Sequence, residues 1–223
     1  MRPRVSVVLP TLEEQAIFKV IADIHRLLGR DTEIIAVARG SDEYFRKLRK
    51  LGVKVVYQKV KSVEKSIMVG FDIAKGEILA TTDADGTHGS EGLLAGVRMV
   101  ESGKADMVLG NRMAGLQEGS MGPYLAFGNS ALSWIFSVLY RTRVHDVLTG
   151  LFVTRKDVYK SIRNVEPYRA GIAFFVIELA KRHYKIREVN IKYYPREYGT
   201  SKLSRFKLAY GLGVGIRLIA HML

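Results

Sequence analysis

The stretch Ile78-Leu79-Ala80-Thr81-Thr82-Asp83-Ala84-Asp85 decides the fold of this chain and points to its chemistry. An apolar run ends in two carboxylates that are separated by one small residue. If the run is a buried strand, Asp83 and Asp85 emerge on the same side of its carboxyl end. Ligands of open α/β sheets bind beyond that end. Two hard oxygen donors there suit Mg²⁺ or Mn²⁺ holding a diphosphate, and the alternative is a polar loop with two solvated Asp.

Strands and helices alternate along the first half of the chain. This alternation predicts an α/β fold with a Rossmann-like, mostly parallel sheet flanked by helices. Right-handed crossovers then place the ends of the first and fourth strands on one rim. Ser90 is the expected N-cap of a helix that runs through Val100. The predicted strands cover residues 5–9, 33–37, 53–57, 78–82 and 106–109, and the predicted helices cover 17–28, 42–50, 63–74 and 90–100.

The second half is more apolar and contains no clear linker. Residues 131–140 and 173–181 predict helices, residues 186–194 alternate as a strand, and residues 203–223 predict an amphipathic C-terminal helix. Residues 115–123 are rich in Gly and predict a loop. We therefore expect a single catalytic domain over residues 1–223.

Two apolar helices raise the question of a membrane. No segment has the ~20 uncharged apolar residues that span a bilayer, so no transmembrane domain is expected. The helix over 131–140 and the C-terminal helix could instead lie in a membrane interface, with Trp134, Tyr140, Arg141 and Arg143 at headgroup level. The alternative is that both helices simply pack on the sheet.

Composition narrows the class of protein. The 223 residues carry a net charge of +13 and include no Cys. The absence of Cys excludes a disulfide framework and thiolate chemistry, and it fits a cytosolic setting. The charge favours an anionic partner, such as phosphate or an anionic membrane. Lys and Arg are spread along the chain without a nucleic-acid-binding motif, so we expect no nucleic-acid partner.

Five short motifs follow one another in a fixed order. They are Pro10-Thr11-Leu12-Glu13-Glu14, Asp83-Ala84-Asp85, Gly110-Asn111-Arg112, Asp146-Val147-Leu148-Thr149-Gly150-Leu151-Phe152, and the stretch from Arg196 to Lys202. The ordered set resembles the family 2 glycosyltransferases with a GT-A fold, most closely the polyprenyl-phosphate (dolichyl-phosphate) mannose and glucose synthases. The resemblance extends from Val5 to about Lys207.

The resemblance implies roles for individual residues. Asp83 and Asp85 would bind the metal, Mg²⁺ or Mn²⁺. The family often continues with Leu-Gln-His, whose Gln can assist the metal, but this chain reads Gly86-Thr87-His88. Contacts with the nucleotide sugar would come from Pro10, Thr11, Leu12, Glu14, Asp83, Ala84, Asp85 and Arg112. Catalytic roles would fall to Asp85, Asp146, Arg196 and Lys202, and the acceptor phosphate would meet Arg196, Ser201 and Lys202.

One position departs from the family. After the second strand, relatives carry an acidic run, one Asp of which reads the nucleotide base. Here the aligned residues are Ala38-Arg39-Gly40-Ser41. Asp42 or Glu43 could replace the missing carboxylate through a shift of the loop, and backbone carbonyls could also serve.

The expected reaction is inverting, metal-dependent transfer of a hexose from a nucleotide-diphosphate sugar to a polyprenyl or dolichyl phosphate. The resemblance favours mannose from GDP-mannose. A lipid phosphate is already anionic at neutral pH and needs orientation rather than a base. For a hydroxyl acceptor Asp146 would be the candidate base, and its alternative role is to hold the acceptor loop. His88 is expected either to bond the donor phosphate or to cap a helix.

Two other functions stay open on the sequence alone. One is transfer to a soluble or glycan acceptor, and the other is a non-catalytic glycosyltransferase-like module that binds membranes. The expected location is cytoplasmic, peripheral on the inner face of the cell membrane, with a separate membrane-protein partner as a further possibility.

Overall fold

The computed structural model describes residues 2–59, 62–163, 172–196 and 207–223. Within these ranges, helices cover both faces of one seven-stranded sheet. The strands are β1 (Val5–Thr11), β2 (Glu33–Ala38), β3 (Lys54–Tyr57), β4 (Ile78–Thr81), β5 (Met107–Asn111), β6 (Phe152–Arg155) and β7 (Ile186–Asn190). The helices are α1 (Ile17–Leu28), α2 (Asp42–Lys50), α3 (Val63–Ile73), α4 (Glu91–Glu101), α5 (Pro123–Tyr140), α6 (Lys156–Ile162), α7 (Ile172–Lys181) and α8 (Lys207–Met222).

The sheet has the strand order β3-β2-β1-β4-β6-β5-β7. All pairings of the described strands are parallel except those of β6, which runs antiparallel to both β4 and β5. The carboxyl ends of β1 and β4 therefore share one rim, as predicted, and those of β2 and β5 lie on the same rim. Since β6 runs the other way, the segment that leads into it arrives at that same rim.

Each face of the sheet has its own apolar core. One core joins the sheet to α3 and to the helices of the second half, and it includes Phe71, Phe136 and Phe152. The other joins it to α1, α2 and α4, with Ile21, Leu48 and Val97 at its centre. Burying one large apolar side chain is worth about 1.5–3 kcal/mol, so these two layers fix the strand ends that form the rim.

Most predicted elements of the first half are confirmed, and α1 and α2 agree at both ends. Ser90 is the N-cap residue of α4, as predicted, but its backbone is already helical and its side chain makes no capping hydrogen bond. The strand predicted over 186–194 ends at Asn190, and α5 begins earlier than predicted, where Pro123 can start a helix. The short elements β6 and α6 were not predicted.

Helices α5 and α8 pack against each other and leave apolar side chains on the surface. On α5, Tyr124, Phe127, Trp134 and Val138 are more than half exposed. Their spacing places them on one stripe of the helix. Within the described ranges, no helix combines the length and the hydropathy needed to cross a bilayer.

The C-terminal helix α8 is tied to α7 by polar contacts. Nε2 of His221 lies 2.8 Å from Oε1 of Glu178, and the His221 ring stacks on Phe174. The Tyr140 hydroxyl of α5 donates to the carbonyl of Met222. Residues 203–206 of the predicted C-terminal helix lie outside the described residues.

Candidate active site

A group of three potential metal ligands lies just beyond β4. Ligand atoms of Asp83, Asp85 and His88 all lie within 4.8 Å of one another. The sequence predicted that alternation along the strand would bring the two carboxylates together. The strand ends at Thr81, however, and a turn brings them together instead. Gly86 supports this turn with a φ of 75°, a value that favours glycine.

The turn fixes Asp85 from two sides. Oδ1 of Asp85 accepts hydrogen bonds from the backbone N–H and the hydroxyl of Thr87, at 3.1 and 2.7 Å. Oδ2 lies 2.7 Å from Nη2 of Arg196. Thr87 therefore orients the Asp85 carboxylate, and Arg196 neutralises its charge.

Asp83 lies against His88 of its own turn and against the loop that contains Gly150. Oδ2 lies 3.5 Å from Nδ1 of His88, and the α-carbon of Gly150 faces the carboxylate closely. Although 36% of the Asp83 side chain is exposed, protein surrounds it on its other sides. Desolvation raises the pKa of Asp83, and the charges of Arg112 and Arg196 oppose this shift. A cation bound beside Asp83 would offset the desolvation cost of the negative charge of its carboxylate.

The His88 side chain is fully buried, and one of its ring nitrogens, Nε2, has no hydrogen-bond partner among the described residues. Its Nε2 makes no hydrogen bond, and its ring meets that of Tyr193 edge-on. Burial holds the pKa of His88 far below its ordinary value, and Arg112 lowers it further. A neutral imidazole is the form of histidine that can bind a metal, so His88 is suited to be a third ligand.

Arg112 and Asp146 form a buried ion pair. Nε and Nη2 of Arg112 donate to the two carboxylate oxygens of Asp146 at 2.6 and 2.8 Å, and the Arg112 backbone N–H also donates to Oδ2. Asn129 Nδ2 donates to Oδ1 at 2.8 Å. With four donors on two oxygens and no exposed surface, the Asp146 carboxylate is fully hydrogen-bonded, and three of the four donors belong to Arg112.

The loop that leads into β6 is held by helix α5 and strand β7. Asn129 and Ser133 on α5 accept the backbone N–H groups of Leu148 and Val147. Glu188 on β7 accepts those of His145 and Asp146. The loop is thereby fixed beside Asp83. Asn129, Ser133 and Glu188 were not predicted, because nothing in the local sequence marks a side chain that serves a distant loop.

The segment after β1 forms the neighbouring part of the rim. Thr11 shares a hydrogen bond of 2.8 Å with the buried Tyr44 hydroxyl and accepts the N–H of Glu14. Glu14 is close enough to Asp83 to help raise its pKa. Pro10 lies in β1 one residue before its end, Leu12 is half-buried, and Ala84 belongs to the apolar core.

The segment after β2 leaves its charges on the surface. Arg39 is exposed, and its side chain pairs with no described residue. Asp42 and Glu43 form the first turn of α2, where Glu43 bonds Lys47 at 2.8 Å on the outer face. The predicted acceptor residues Ser201 and Lys202 lie outside the described residues.

The chain is similar to known proteins over most of its length. The family described as Glycosyl transferase family 2 matches residues 6–163. The dolichyl-phosphate hexose transferase of Haloferax volcanii is 31% identical over 205 residues, which cover 92% of this chain and 88% of that protein. The low-salt glycan biosynthesis hexosyltransferase Agl6 of the same organism is 29% identical over 210 residues, covering 92% of this chain but 51% of that protein.

The fold has close structural counterparts. Glucosyl-3-phosphoglycerate synthase from Mycobacterium tuberculosis, solved with Mn²⁺, UDP and glucosyl-3-phosphoglycerate, superposes with a TM-score of 0.71 at 20% identity. The match covers 99% of this chain and 78% of that one. The predicted GT-A architecture is thereby confirmed. Because the family match spans more than half of its length, the chain belongs to glycosyl transferase family 2 and is a glycosyltransferase.

Proposed function

We propose that this enzyme transfers a hexose from a nucleotide-diphosphate sugar to a polyprenyl or dolichyl phosphate at a membrane surface. The observation that carries the proposal is the grouping of Asp83, Asp85 and His88 on the rim of the sheet. The 31% identical dolichyl-phosphate hexose transferase supports the lipid acceptor. Mannose from GDP-mannose is the donor that the family resemblance favours.

The three grouped residues fit Mg²⁺ or Mn²⁺. Two carboxylates supply hard oxygen donors, and the buried imidazole of His88, whose Nε2 makes no hydrogen bond to a described residue, supplies a nitrogen. Such a cation would neutralise the charge that grows on the departing nucleoside diphosphate. The residues around it orient the carboxylates: Thr87 fixes Asp85, and the wall at Gly150 fixes Asp83.

The reaction on the sugar needs positioning more than acid–base chemistry. An oxygen of the acceptor phosphate attacks the anomeric carbon while the bond to the donor diphosphate breaks on the opposite side, which inverts the configuration. The attacking oxygen is already anionic, so no base is required. In this proposal Asp146 holds Arg112 in place, and Arg112 and Arg196 supply positive charge beside the phosphates. Ser201 and Lys202 would complete the acceptor side.

The exposed stripe of α5 supports contact with a membrane. Phe127 and Trp134 are 77% and 68% exposed, and the exposed Arg141 and Arg143 follow the end of the helix. Aromatic side chains with adjacent cations suit the interface of an anionic bilayer. The opposite face of α5 holds the loop beside Asp83 through Asn129 and Ser133. The lipid phosphate would thus arrive about one helix diameter from the site. We place the enzyme on the cytoplasmic face of the cell membrane, as one catalytic domain.

A transfer assay tests this function. The protein is incubated with Mn²⁺, a panel of nucleotide sugars and a short polyprenyl phosphate, and the glycolipid is sought by mass spectrometry. We expect a product with at least one donor, most strongly with GDP-mannose, and none from Asp85→Asn. The exposed Asp157→Asn variant serves as the matched control and should keep full activity. Failure of every donor on the lipid acceptor, with transfer to a soluble phosphate such as phosphoglycerate instead, would contradict the lipid assignment.

A further inference from the structure

Glu13 occupies a position that the donor chemistry described so far does not use. It follows β1 and has a φ of 61°, a backbone conformation that is uncommon for a residue with a Cβ. Its carboxylate reaches across to the segment after β2, where the Ser41 hydroxyl donates to Oε1 at 2.6 Å. Among the described residues, nothing donates to its other oxygen, and the side chain is exposed. One acceptor oxygen is therefore oriented and available.

The surroundings of Glu13 hold it in this orientation. Gly40 lies beneath it: a Cβ added to Gly40 would lie 3.2 Å from the Glu13 Cβ and 3.0 Å from the Tyr44 ring. The Ser41 hydroxyl makes two hydrogen bonds. It donates to Glu13, and as the N-cap of α2 it accepts the N–H of Tyr44. Tyr44 supports the same loop from below through Thr11 and the carbonyl of Glu14. The carboxylate thus lies at the end of β2, where the sequence supplies Arg39 and no acid.

The place of Glu13 along the rim matches the far end of a nucleotide. Asp83 and Asp85 lie beyond β4, next to β1, and β2 lies beyond β1. Two strand spacings, about 10 Å, separate β4 from β2. If the diphosphate is held beyond β4 and the ribose lies over β1, the base lies beyond the end of β2. Glu14 acts on Asp83, whereas the preceding residue faces the end of β2.

We propose that Glu13 reads the nucleobase of the donor and selects bases that carry a ring N–H on their pairing edge. This inference rests on the proposed function. Guanine and uracil offer such a donor to a carboxylate. Adenine and cytosine present a ring nitrogen lone pair at the same place, which a carboxylate repels. A guanidinium only donates hydrogen bonds. Arg39 in place of Glu13 as the base contact would therefore favour cytosine, whose ring nitrogen accepts one.

Binding of plain nucleoside diphosphates tests the proposal without any transfer. The affinities of GDP, UDP, CDP and ADP are measured by calorimetry in the presence of Mn²⁺ for the wild type, Glu13→Gln and Glu43→Gln. Glu43 is the matched control, since it lies on the first turn of α2 and faces solvent with Lys47. We expect the wild type and Glu43→Gln to bind GDP or UDP about 10- to 100-fold more tightly than CDP and ADP.

The Glu13→Gln variant should lose most of that preference while it keeps its affinity for CDP and ADP. Ser41→Ala, which keeps the carboxylate but removes its hydrogen bond, should lose a smaller part. Equal weakening of all four nucleotides in Glu13→Gln, an unchanged preference, or a wild-type preference for CDP would each overturn the inference. If the wild type binds none of the four, the proposed function itself fails and the inference fails with it.

Discussion

The α-carbon of Gly150 lies against the carboxylate of Asp83. A Cβ added at residue 150 would lie 2.6 Å from Oδ2 of Asp83 and 2.8 Å from its Cγ, closer than such atoms can approach. The backbone of Gly150 is not in the left-handed region, so the requirement for glycine here comes from space alone. The loop before β6 therefore sets the position of a carboxylate that follows β4.

Gly150→Ala should displace Asp83 and weaken metal binding. We expect the affinity for Mn²⁺ to fall about 10- to 100-fold, as for changes that misorient a metal ligand. Electron paramagnetic resonance of free Mn²⁺ measures this directly. Gly128→Ala on α5 is the matched control, because an added Cβ there meets nothing within 4 Å. Equal Mn²⁺ affinity in both variants would show that Asp83 is not held by this contact.

Asp146→Ala should destabilise the fold, because it leaves the buried Arg112 without its partner. Breaking a buried ion pair from one side costs about 3–5 kcal/mol, which urea denaturation would show as a lower free energy of unfolding. Asp157→Ala removes an exposed partner of Arg155, and it should cost less than about 1 kcal/mol. A stable Asp146→Ala protein that loses only transfer would instead support the role of a base.

Mn²⁺ should stabilise the folded protein through Asp83 and Asp85. A ligand at 100 times its dissociation constant adds about 2.7 kcal/mol to the free energy of unfolding. We expect a rise in the thermal midpoint of the wild type that EDTA reverses and that Asp83→Asn abolishes. Asp157→Asn should keep the full shift. An undiminished shift in Asp83→Asn would place the Mn²⁺ elsewhere.

Arg196 should oppose metal binding in the absence of substrate. Its guanidinium lies 2.7 Å from Oδ2 of Asp85, so a metal must displace it from that oxygen. We therefore expect Arg196→Gln to bind Mn²⁺ several-fold more tightly, by about 1 kcal/mol, while sugar transfer falls. Titration calorimetry and the transfer assay measure the two effects. Weaker Mn²⁺ binding in Arg196→Gln would contradict the competition between Arg196 and the metal.

Trp134, the only tryptophan of the chain, should report contact with lipid directly. Its fluorescence should shift to shorter wavelength with anionic vesicles and change little with neutral ones. Phe127→Ser should weaken vesicle binding about 10- to 100-fold, because it removes about 1.5–3 kcal/mol of apolar insertion. Val69→Ser, an exposed apolar site on α3, is the control. Equal binding of the two variants would argue against α5 as the membrane contact.

The sequence predicted those features that depend on short stretches of chain. The apolar run before Asp83 and the sequence patterns of α1 and α2 specify their elements locally, and right-handed crossovers placed the ends of β1 and β4 on one rim. The strand β6 was missed because its four residues do not form a pattern long enough to distinguish from a loop. Its pairing with β4 and β5 is long-range.

Contacts of single side chains could not be predicted where the partners are distant in sequence. Arg112 and Asp146 are 34 residues apart, and nothing in the sequence showed that the candidate phosphate contact and the candidate base bind each other. Glu13 was not predicted as a site residue. The direction of its side chain depends on a left-handed backbone conformation, which a glutamate does not indicate in the sequence. His88 was expected to bond the donor phosphate or to cap a helix, and the burial of its Nε2, which has no described partner, makes it a candidate metal ligand instead.

The reversed direction of β6 has a mechanical consequence. The chain leaves the rim after β5 at Arg112 and returns to it at Gly150, so residues 112–151 form one excursion anchored at both ends beside Asp83. Helix α5 is the middle of that excursion and is bonded to its returning arm through Asn129. If a membrane surface displaces α5 by contact with its exposed apolar side chains, the displacement is therefore transmitted to both Arg112 and Gly150.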